Sequence, residues 1–424
     1  MTSNAFRQWR RGLLSLAASV VLIAISAPPA HAWPSQYWIS LLGYDKAWSV
    51  TKGAGVTVAV VDSGVVELGD LKGRVLPGTD LVGGGTDGRA DPGYLCHAST
   101  GCYSHGTDMA LLIGGSGTGA GDQGVAPDVK ILPVKVQTRS GAEAPRAAVA
   151  NGIRWATDHG AQVINLSLGT QGACPEDQGA AIQYAYDHNV IVVAAAGNEH
   201  DAVSSPANCA GALAVTANDR NFRPWSGAND GPELAFTCEG VNLPEESLTG
   251  KQLPGVSGTS GAAALVSGTF ALLRAHFPKL SARDIVTRAL YNVHNGLPGH
   301  NTLTKKAEGL GYGEILPDRA LTQPLPAHAS NPIYDHWEGL LGKPSATAGS
   351  SPSSSESGSG SAPSSHSTTQ VSGIPAAHGT GGGGSSNTGV IIGGVIGAVI
   401  VIGGISLLLA RRSGRRSANP GFPR

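Results

Sequence analysis

The chain has 424 residues, more than one domain usually holds, so one large domain with appended segments is the starting expectation. Charged residues make up 14% of the chain and the formal net charge is −1, which argues against the basic face that a nucleic-acid partner requires. Glycine is abundant, with 61 residues, and much of it lies in the C-terminal third.

The first 32 residues have the pattern of a secretion signal. The pattern consists of a basic start, an apolar run and a small-x-small cleavage site, which are Arg7, Arg10 and Arg11, then Leu13–Ile25, then Ala30-His31-Ala32. The apolar run is short and is followed by Pro28-Pro29, which disfavours a retained membrane anchor. The Arg10-Arg11 pair leaves both ordinary and twin-arginine export open. We therefore expect the mature chain to be exported.

Five runs with little polarity predict strands that are buried on both faces of a parallel sheet. They are Val56–Val61, Ile131–Val136, Val163–Leu168, Val190–Ala195 and Ala212–Ala217. Helical stretches lie between them, such as Ala144–His159 and Gly179–His188. Strands that alternate with helices predict an α/β fold, and active sites in such sheets gather at the carboxyl ends of strands.

The stretch from Gly255 to Leu273 combines a glycine-rich turn with an apolar run around one serine, Ser260. A serine at the entrance to a buried helix lies near free N–H groups and in the positive field of the helix N-terminus. That position suits a nucleophile whose product is an oxyanion, although a plain N-cap produces the same local pattern. Ala262–His276 is the predicted helix, and Ser281 is the predicted N-cap of the next.

Three other polar residues, of the types that a serine nucleophile needs as partners, lie beside apolar runs. Asp62 ends V-A-V-V-D, His105 lies in S-H-G-T-D-M-A, and Asn198 ends I-V-V-A-A-A-G-N. Each of these residues alone is as easily structural. Together with Ser260, however, the order Asp, His, Asn, Ser resembles that of the subtilisin-like serine proteases.

This resemblance implies a three-layer fold, with a mainly parallel sheet flanked by helices, and a serine-type endopeptidase activity. Ser260 would be the nucleophile, His105 its base, Asp62 the orienting acid and Asn198 a donor to the oxyanion. The run Ser167, Leu168 and Gly169 resembles the segment that pairs with an extended substrate in this family. The implied partners are protein or peptide substrates, and no cofactor is expected. We find no calcium-loop signature and no zinc-type spacing of cysteines, so no metal is expected.

The ends of the chain resemble those of one group within this family. Only about 30 residues separate the predicted cleavage site from Asp62, so a folding-assisting propeptide domain is not expected. With the aromatic stretch that starts at Trp33, this resembles the mycosins, the membrane-anchored proteases of actinobacterial type VII secretion systems. Gly309–Asp318 resembles the closing segment of these proteases, so the peptidase domain is expected to cover residues 33–325.

The C-terminal third predicts a tether and a membrane anchor. Residues 326–388, rich in Pro and then in Ser and Gly, cannot bury a core and are expected to be a disordered linker. Gly389–Ala410 is an uncharged apolar run of 22 residues, which at about 1.5 Å per residue spans a hydrocarbon core of about 30 Å. The basic tail 411–424 follows, so a single-pass type I protein with its catalytic domain outside the cell membrane is expected. Glycines at 389, 393 and 397 leave dimerisation of the helix open.

Five cysteines lie in the exported part, so pairing leaves one over. Cys96 and Cys102 bracket a short loop before His105, and we pair them. Mycosins bridge loops in positions similar to those of Cys174 and Cys209, so the resemblance implies that bond and leaves Cys238 as a buried thiol. Pairing of Cys209 with Cys238 stays open.

Residues beside the motifs depart from the family pattern. The serine is followed by Gly261-Ala262-Ala263-Ala264, without the usual large residue and proline. Leu111 stands where a glycine is usual after the histidine motif, and Thr237-Cys238-Glu239-Gly240 replaces an A-P-G segment. None of these changes removes a reacting group, but they bear on the shape of the pocket and on the rate.

The expected function is therefore that of a membrane-anchored extracytoplasmic endopeptidase, associated with membrane components of type VII secretion. The alternative is a catalytically weak or inactive scaffold subunit of a secretion complex. A surface adhesin on a Ser/Gly stalk would explain the C-terminal third but not the four ordered motifs.

Overall fold

The computed structural model describes residues 36–340, except 68, 84–86, 91–95, 98–100, 103, 119–122, 139–142, 247–251 and 296–305. All of them belong to one compact unit of the chain. Within those ranges, no helix combines the length and the apolar composition that a membrane span requires. The predicted signal peptide, transmembrane helix and basic tail lie outside the described residues.

The described strands lie in one large sheet and two short ribbons. They are β1 Thr57–Asp62, β2 Thr79–Asp80, β3 Cys96–His97, β4 Gly101–Cys102, β5 Lys130–Lys135, β6 Val163–Leu166, β7 Ile191–Ala195, β8 Leu213–Asn218, β9 Leu234–Glu239, β10 Leu243–Glu246, β11 Gln252–Val256, β12 Val293–His294 and β13 Glu314–Ile315. The large sheet has the order β12-β13-β9-β8-β7-β6-β1-β5-β2, and the ribbons are β3-β4 and β10-β11. In the large sheet, β12 and β13 are antiparallel, and all other neighbouring strands are parallel. The predicted mainly parallel α/β fold is therefore confirmed.

Helices cover both faces of this sheet. They are α1 Trp38–Leu41, α2 Tyr44–Ala47, α3 His105–Gly114, α4 Arg146–Asp158, α5 Glu176–Asp187, α6 Thr259–His276, α7 Ala282–Leu290, α8 Pro317–Thr322 and α9 Pro332–Leu340. Successive strand residues point to opposite faces. In β1, Val58 and Val60 pack in one apolar cluster with α3 and α6, whereas Ala59 and Val61 pack in a second cluster with α4 and α5. The strands are apolar on both faces because both faces are covered.

Helix α6 is buried along nearly its whole length, because small residues let neighbouring elements approach it closely. A Cβ atom at Gly268 would lie 2.2 Å from Cγ2 of Val125, so no larger residue fits there without movement. The side chain of Leu111, which departs from the family pattern on α3, is accommodated in the same cluster and is only 4% exposed.

The aromatic stretch near the N-terminus is part of the core. Trp38 and Tyr44, on α1 and α2, are buried. The Tyr44 hydroxyl lies 2.7 Å from the Thr269 hydroxyl on α6, and Trp48 donates its indole N–H to the Val125 carbonyl at 2.9 Å. The Tyr44 contact fastens the N-terminal segment to α6, the helix that carries Ser260, and the Trp48 bond fastens it to Val125, which packs on Gly268 of that helix.

The folded region continues past Leu325, where we predicted its end. Helix α9 lies in the range that we assigned to the linker, and its Trp337 is buried over Gly211. Arg283 of α7 donates to Glu338 at 2.8 Å and also bonds Asp335. The prediction that the linker starts at residue 326 is therefore wrong for this helix. Its Trp337 packs on the domain, and its two carboxylates bond Arg283.

Two buried carboxyl groups lie near each other at the edge of the sheet. Glu239 ends β9, Glu314 begins β13, and Glu314 pairs in register with Thr237. The Tyr37 hydroxyl donates to Glu239 at 2.7 Å, and the Asn218 amide donates to Glu314 at 3.4 Å. Burial raises the pKa of Glu239 to about 7, and burial together with the charge of Glu239 raises the pKa of Glu314 to about 8.

Raised carboxyl pKa values mean that the native state binds protons more tightly than the unfolded chain, so the free energy of unfolding falls as the pH rises between about 4.5 and 8. We expect Glu239→Gln to remove part of this fall. The variant should be more stable than the parent at pH 8, by roughly 1–3 kcal/mol, and close to it at pH 5. Urea unfolding at both pH values measures this.

The matched control is Glu233→Gln, because Glu233 is an exposed glutamate that directly precedes β9, the strand that Glu239 ends. Its pH profile should follow that of the parent. Parallel profiles for Glu239→Gln and the parent would contradict the stated role of the buried pair.

Trp337→Ala should lower the free energy of unfolding by about 3–5 kcal/mol, because it empties a buried aromatic site over Gly211. His336→Ala is the control, since His336 is exposed on the same helix. Thermal unfolding of the two variants distinguishes them, and equal midpoints would mean that α9 does not contribute to the stability of the domain.

Candidate active site

Asp62 and His105 form the buried end of the site. Asp62 is the last residue of β1 and is fully buried, whereas His105 begins α3 and its side chain is 22% exposed. The His105 Nδ1 atom lies 2.9 Å from both carboxylate oxygens of Asp62. Because a carboxylate only accepts, Nδ1–H donates to it. In the neutral ring this leaves Nε2, on the opposite side, as the nitrogen that can accept a proton.

The sequence S-H-G-T explains the position of His105. Ser104 caps α3, and its hydroxyl accepts from the Thr107 amide at 3.4 Å. A Cβ atom at Gly106 would lie 2.4 Å from the Gly64 carbonyl oxygen, so glycine lets the start of α3 approach the end of β1.

Ser260 lies in the first turn of α6, where helix geometry leaves its amide without an intrahelical acceptor. Its hydroxyl donates to the Ser167 carbonyl at 3.3 Å, and the Ser167 hydroxyl donates to the Ser260 carbonyl at 2.8 Å. Ser260, His105 and Asn198 line one cavity of about 150 Å³. The structure therefore brings together the four residues that the ordered motifs predicted, with Asp62 behind His105.

Asn198 follows the end of β7 and has a defined orientation. Its Oδ1 atom accepts from the amide and from the hydroxyl of Thr259, both at 2.9 Å. Since two donors hold the oxygen, the exposed Nδ2 group is the part of the amide that is left to donate. Gly197 has a φ of 113°, and a Cβ atom there would lie 2.1 Å from Nδ2 of Asn229, so glycine is required.

Asn229 and Thr259 position Asn198, and neither was predicted as a site residue. Asn229 Oδ1 accepts from the Glu199 amide at 2.9 Å and from the Asp201 amide at 3.0 Å, which shapes the loop after Asn198. Thr259 was visible in the G-T-S motif, whereas Asn229 lies about 30 residues downstream of the loop in a turn with no local signal of its role.

The predicted substrate segment follows β6. Ser167 and Leu168 are buried and Gly169 is exposed. The next residue, Thr170, exchanges two backbone hydrogen bonds with Ser205, at 2.9 and 3.0 Å. The segment thus runs beside Ser260, and its role in substrate binding stays a prediction.

Comparison with known proteins decides the family. The model of the subtilase family matches residues 53–313, more than half of the chain. The chain belongs to the subtilase family. The prediction of a serine-type endopeptidase is confirmed at the level of this family, because several curated relatives of the chain are named as proteases or as a serine proteinase.

Two relatives and one solved structure show where the chain lies within the subtilases. It is 34% identical over 238 residues to the thermostable alkaline protease of Halalkalibacterium halodurans, covering 56% of this chain and 61% of that protein. It is 33% identical over 342 residues to mycosin-4 of Mycobacterium tuberculosis, covering 69% of this chain and 72% of that protein. The structure of the MycP3 protease from the type VII (ESX-3) secretion system is 28% identical, with a TM-score of 0.54, covering 71% of this chain and 90% of that one. The predicted similarity to the mycosins is confirmed.

In this subtilase, the residue after Ser260 has no side chain, and a neighbour fills the space. A Cβ atom at Gly261 would lie 2.3 Å from Cδ1 of Leu243 and 3.5 Å from Cδ1 of Leu112. Leu243 comes from the start of the β10-β11 ribbon and is buried. The large residue that is usual in subtilases is thus replaced in space by a leucine that is distant in sequence.

The Cys174–Cys209 disulfide is present, and Cys238 is a buried free thiol, so the alternative Cys209–Cys238 pairing is wrong. Burial raises the pKa of the Cys238 thiol, which makes it unreactive. Cys96 and Cys102 pair in register across β3-β4. Their side chains lie outside the described structure, so their disulfide stays a prediction.

In the described part of the chain, no group of three or more His, Cys, Asp or Glu side chains is placed to hold a metal ion. Polar atoms at the site are instead held by one another. Asn165 donates to the Ser167 hydroxyl and accepts from the Ser267 hydroxyl, both at 2.9 Å. This buried chain joins β6 to α6 and agrees with the structural role that the V-I-N-L-S-L run suggests for Asn165.

Asn165→Ala should lower the free energy of unfolding by about 1–3 kcal/mol, because it leaves the buried hydroxyls of Ser167 and Ser267 short of a partner. Asn221→Ala, in an exposed loop, is the control and should change little. Urea unfolding monitored by circular dichroism measures both. An unchanged midpoint for Asn165→Ala would contradict the proposed link between β6 and α6.

Proposed function

We propose that this subtilase is an extracytoplasmic endopeptidase that hydrolyses peptide bonds with Ser260 as nucleophile. The observation that carries the proposal is the His105–Asp62 hydrogen bond at 2.9 Å beside a cavity that Ser260 and Asn198 also line. A nucleophile, a base with an orienting acid and an amide donor around one cavity are the parts that acyl transfer requires.

Each residue has a separate role in this mechanism. His105 Nε2 takes the proton from the Ser260 hydroxyl as that oxygen attacks the peptide carbonyl, and then protonates the leaving amine. Asp62 keeps Nδ1 protonated and stabilises the imidazolium. Water then attacks the acyl-enzyme and gives its proton to His105, which passes that proton to the Ser260 oxygen as the ester bond breaks and the acid product leaves.

Charge that develops on the carbonyl oxygen needs donors that are already in place. The Nδ2 group of Asn198 and the Ser260 amide at the start of α6 are such donors. Thr259 holds the Asn198 oxygen from two sides, so the amide does not have to reorient when the oxyanion forms. Loss of one such donor in a comparable site lowers kcat by about 10²–10³-fold.

Substrates would be extended peptides. The run Ser167 to Gly169 is the proposed edge for strand addition, in which main-chain hydrogen bonds bind the peptide and side-chain pockets select it. The carbonyl of Ser167 already accepts from the Ser260 hydroxyl, so a peptide bound along this run reaches the nucleophile.

Location and partners follow from the similarity to the mycosins. One solved relative is described as a protease from a type VII secretion system. With the predicted signal at 1–32 and the predicted membrane helix at 389–410, we propose that the domain is held outside the cell membrane near components of such a system. Since α9 packs on the domain, the tether would begin after Leu340.

A second function, that of a scaffold with little activity, is favoured by one observation. Leu243 packs beside Gly261 in the cavity next to Ser260 and reduces the space there. If this closes the site to substrates, the fold would serve for docking alone.

Labelling with a fluorophosphonate probe separates the two functions. We expect the purified protein to be labelled, Ser260→Ala not to be labelled, and Asp62→Asn to be labelled at least about 100-fold more slowly. Ser257→Ala is the matched control, because Ser257 lines the same cavity, and it should be labelled like the parent. Absence of labelling of the folded parent would favour the scaffold.

A further inference from the structure

Three elements supply the apolar walls of the cavity beside Ser260. Met109 and Leu112 come from α3, Leu243 comes from the β10-β11 ribbon, and Gly261 comes from α6. The run Ser167 to Gly169 is not among the residues that line it. The cavity therefore lies on the other side of Ser260 from the proposed strand-addition edge.

The chemistry of the proposed reaction assigns a substrate part to that side. The acyl half of the peptide would lie along Ser167 to Gly169. The leaving amine must come within hydrogen-bonding reach of His105, which protonates it. Since His105 lines the cavity, the residue that carries this amine places its side chain at the cavity mouth.

We propose that the cavity receives the side chain that follows the scissile bond, and that Leu243 sets the size of side chain accepted. This rests on the proposed endopeptidase function. With glycine at 261, the wall next to the nucleophile is supplied by Leu243. That leucine is 4% exposed, so the packing of the ribbon against α6 holds the wall in place.

The size and polarity of the cavity select a class of side chain. A cavity of about 150 Å³ is close to the size that holds benzene in an engineered apolar protein cavity. Met109, Leu112 and Leu243 give it apolar walls. Polar groups of His105, Asp108 and Asn198 line the rest of the cavity beside the reacting atoms. A side chain of the size of leucine or methionine fits this space, whereas glycine leaves it empty and tryptophan exceeds it.

The test uses the full protein and a mixture of synthetic peptides that are randomised on both sides of every bond. Mass spectrometry of the products gives the residues before and after each cut. We expect the parent to prefer leucine or methionine after the cut, over glycine and tryptophan, by about 10–100-fold in kcat/KM.

Three variants of Leu243 then change only the proposed wall. Leu243→Ala should shift the preference after the cut toward phenylalanine and tryptophan, Leu243→Phe should shift it toward glycine and alanine, and Leu243→Met should keep it. In all three, the preference before the cut should stay as in the parent. Leu310→Ala, a buried leucine outside the cavity, is the control for loss of stability alone.

The outcomes separate this inference from the proposed function. Cleavage that depends on Ser260, with an unchanged preference after the cut in Leu243→Ala and Leu243→Phe, would overturn the role of Leu243 and leave the endopeptidase standing. A change confined to the residue before the cut would do the same. Absence of both cleavage and fluorophosphonate labelling in the folded parent would overturn the proposed function, and this inference with it.

Discussion

The burial of α6 is the constraint on which the rest of the structure depends. A helix that lies between a sheet and other helices on nearly every side must present small residues wherever a neighbour approaches closely. Gly268 meets Val125 in this way, and Gly261 meets Leu243. The same close packing sets the position of Ser260, because the first turn of a helix that is buried along its length cannot shift by itself.

Buried polar groups on β1 and β6 stabilise the site, whereas the buried carboxyl groups on β9 and β13 lower the stability of the fold as the pH rises. Asp62 and Asn165 are fully buried, and they are satisfied by hydrogen bonds that Asp62 accepts from His105 and that Asn165 donates to Ser167 and accepts from Ser267. Such networks hold a single arrangement of side chains, because any other arrangement leaves a buried group unpaired. Burial raises the pKa values of Glu239 and Glu314 despite their bonds from Tyr37 and Asn218, so these two carboxyl groups stay protonated more readily and make the fold more stable at mildly acidic pH.

The two ends of the described chain are both fastened to the domain, but by different interactions. Aromatic side chains of α1 and α2 pack against α6, so the N-terminal segment supports the helix that carries the proposed nucleophile. At the other end, α9 joins α7 through Arg283 and covers Gly211 near the Cys174–Cys209 disulfide. A pull on a tether after Leu340 would therefore reach α9 and α7 before it reached the site.

The sequence by itself determined the α/β class, five strands to within two residues, the three site residues that line the cavity, and Asp62 behind His105. It could do so because burial on both faces demands apolar strands, and because Asp62 ends a strand and Asn198 follows another, at the same edge of a parallel sheet. Only the tertiary structure decided that Leu243 stands beside Gly261, that Asn229 shapes the loop after Asn198, and that α9 belongs to the domain. Those contacts join residues that are distant in sequence, and the hydrophobic and turn patterns of a chain describe only what each segment does locally.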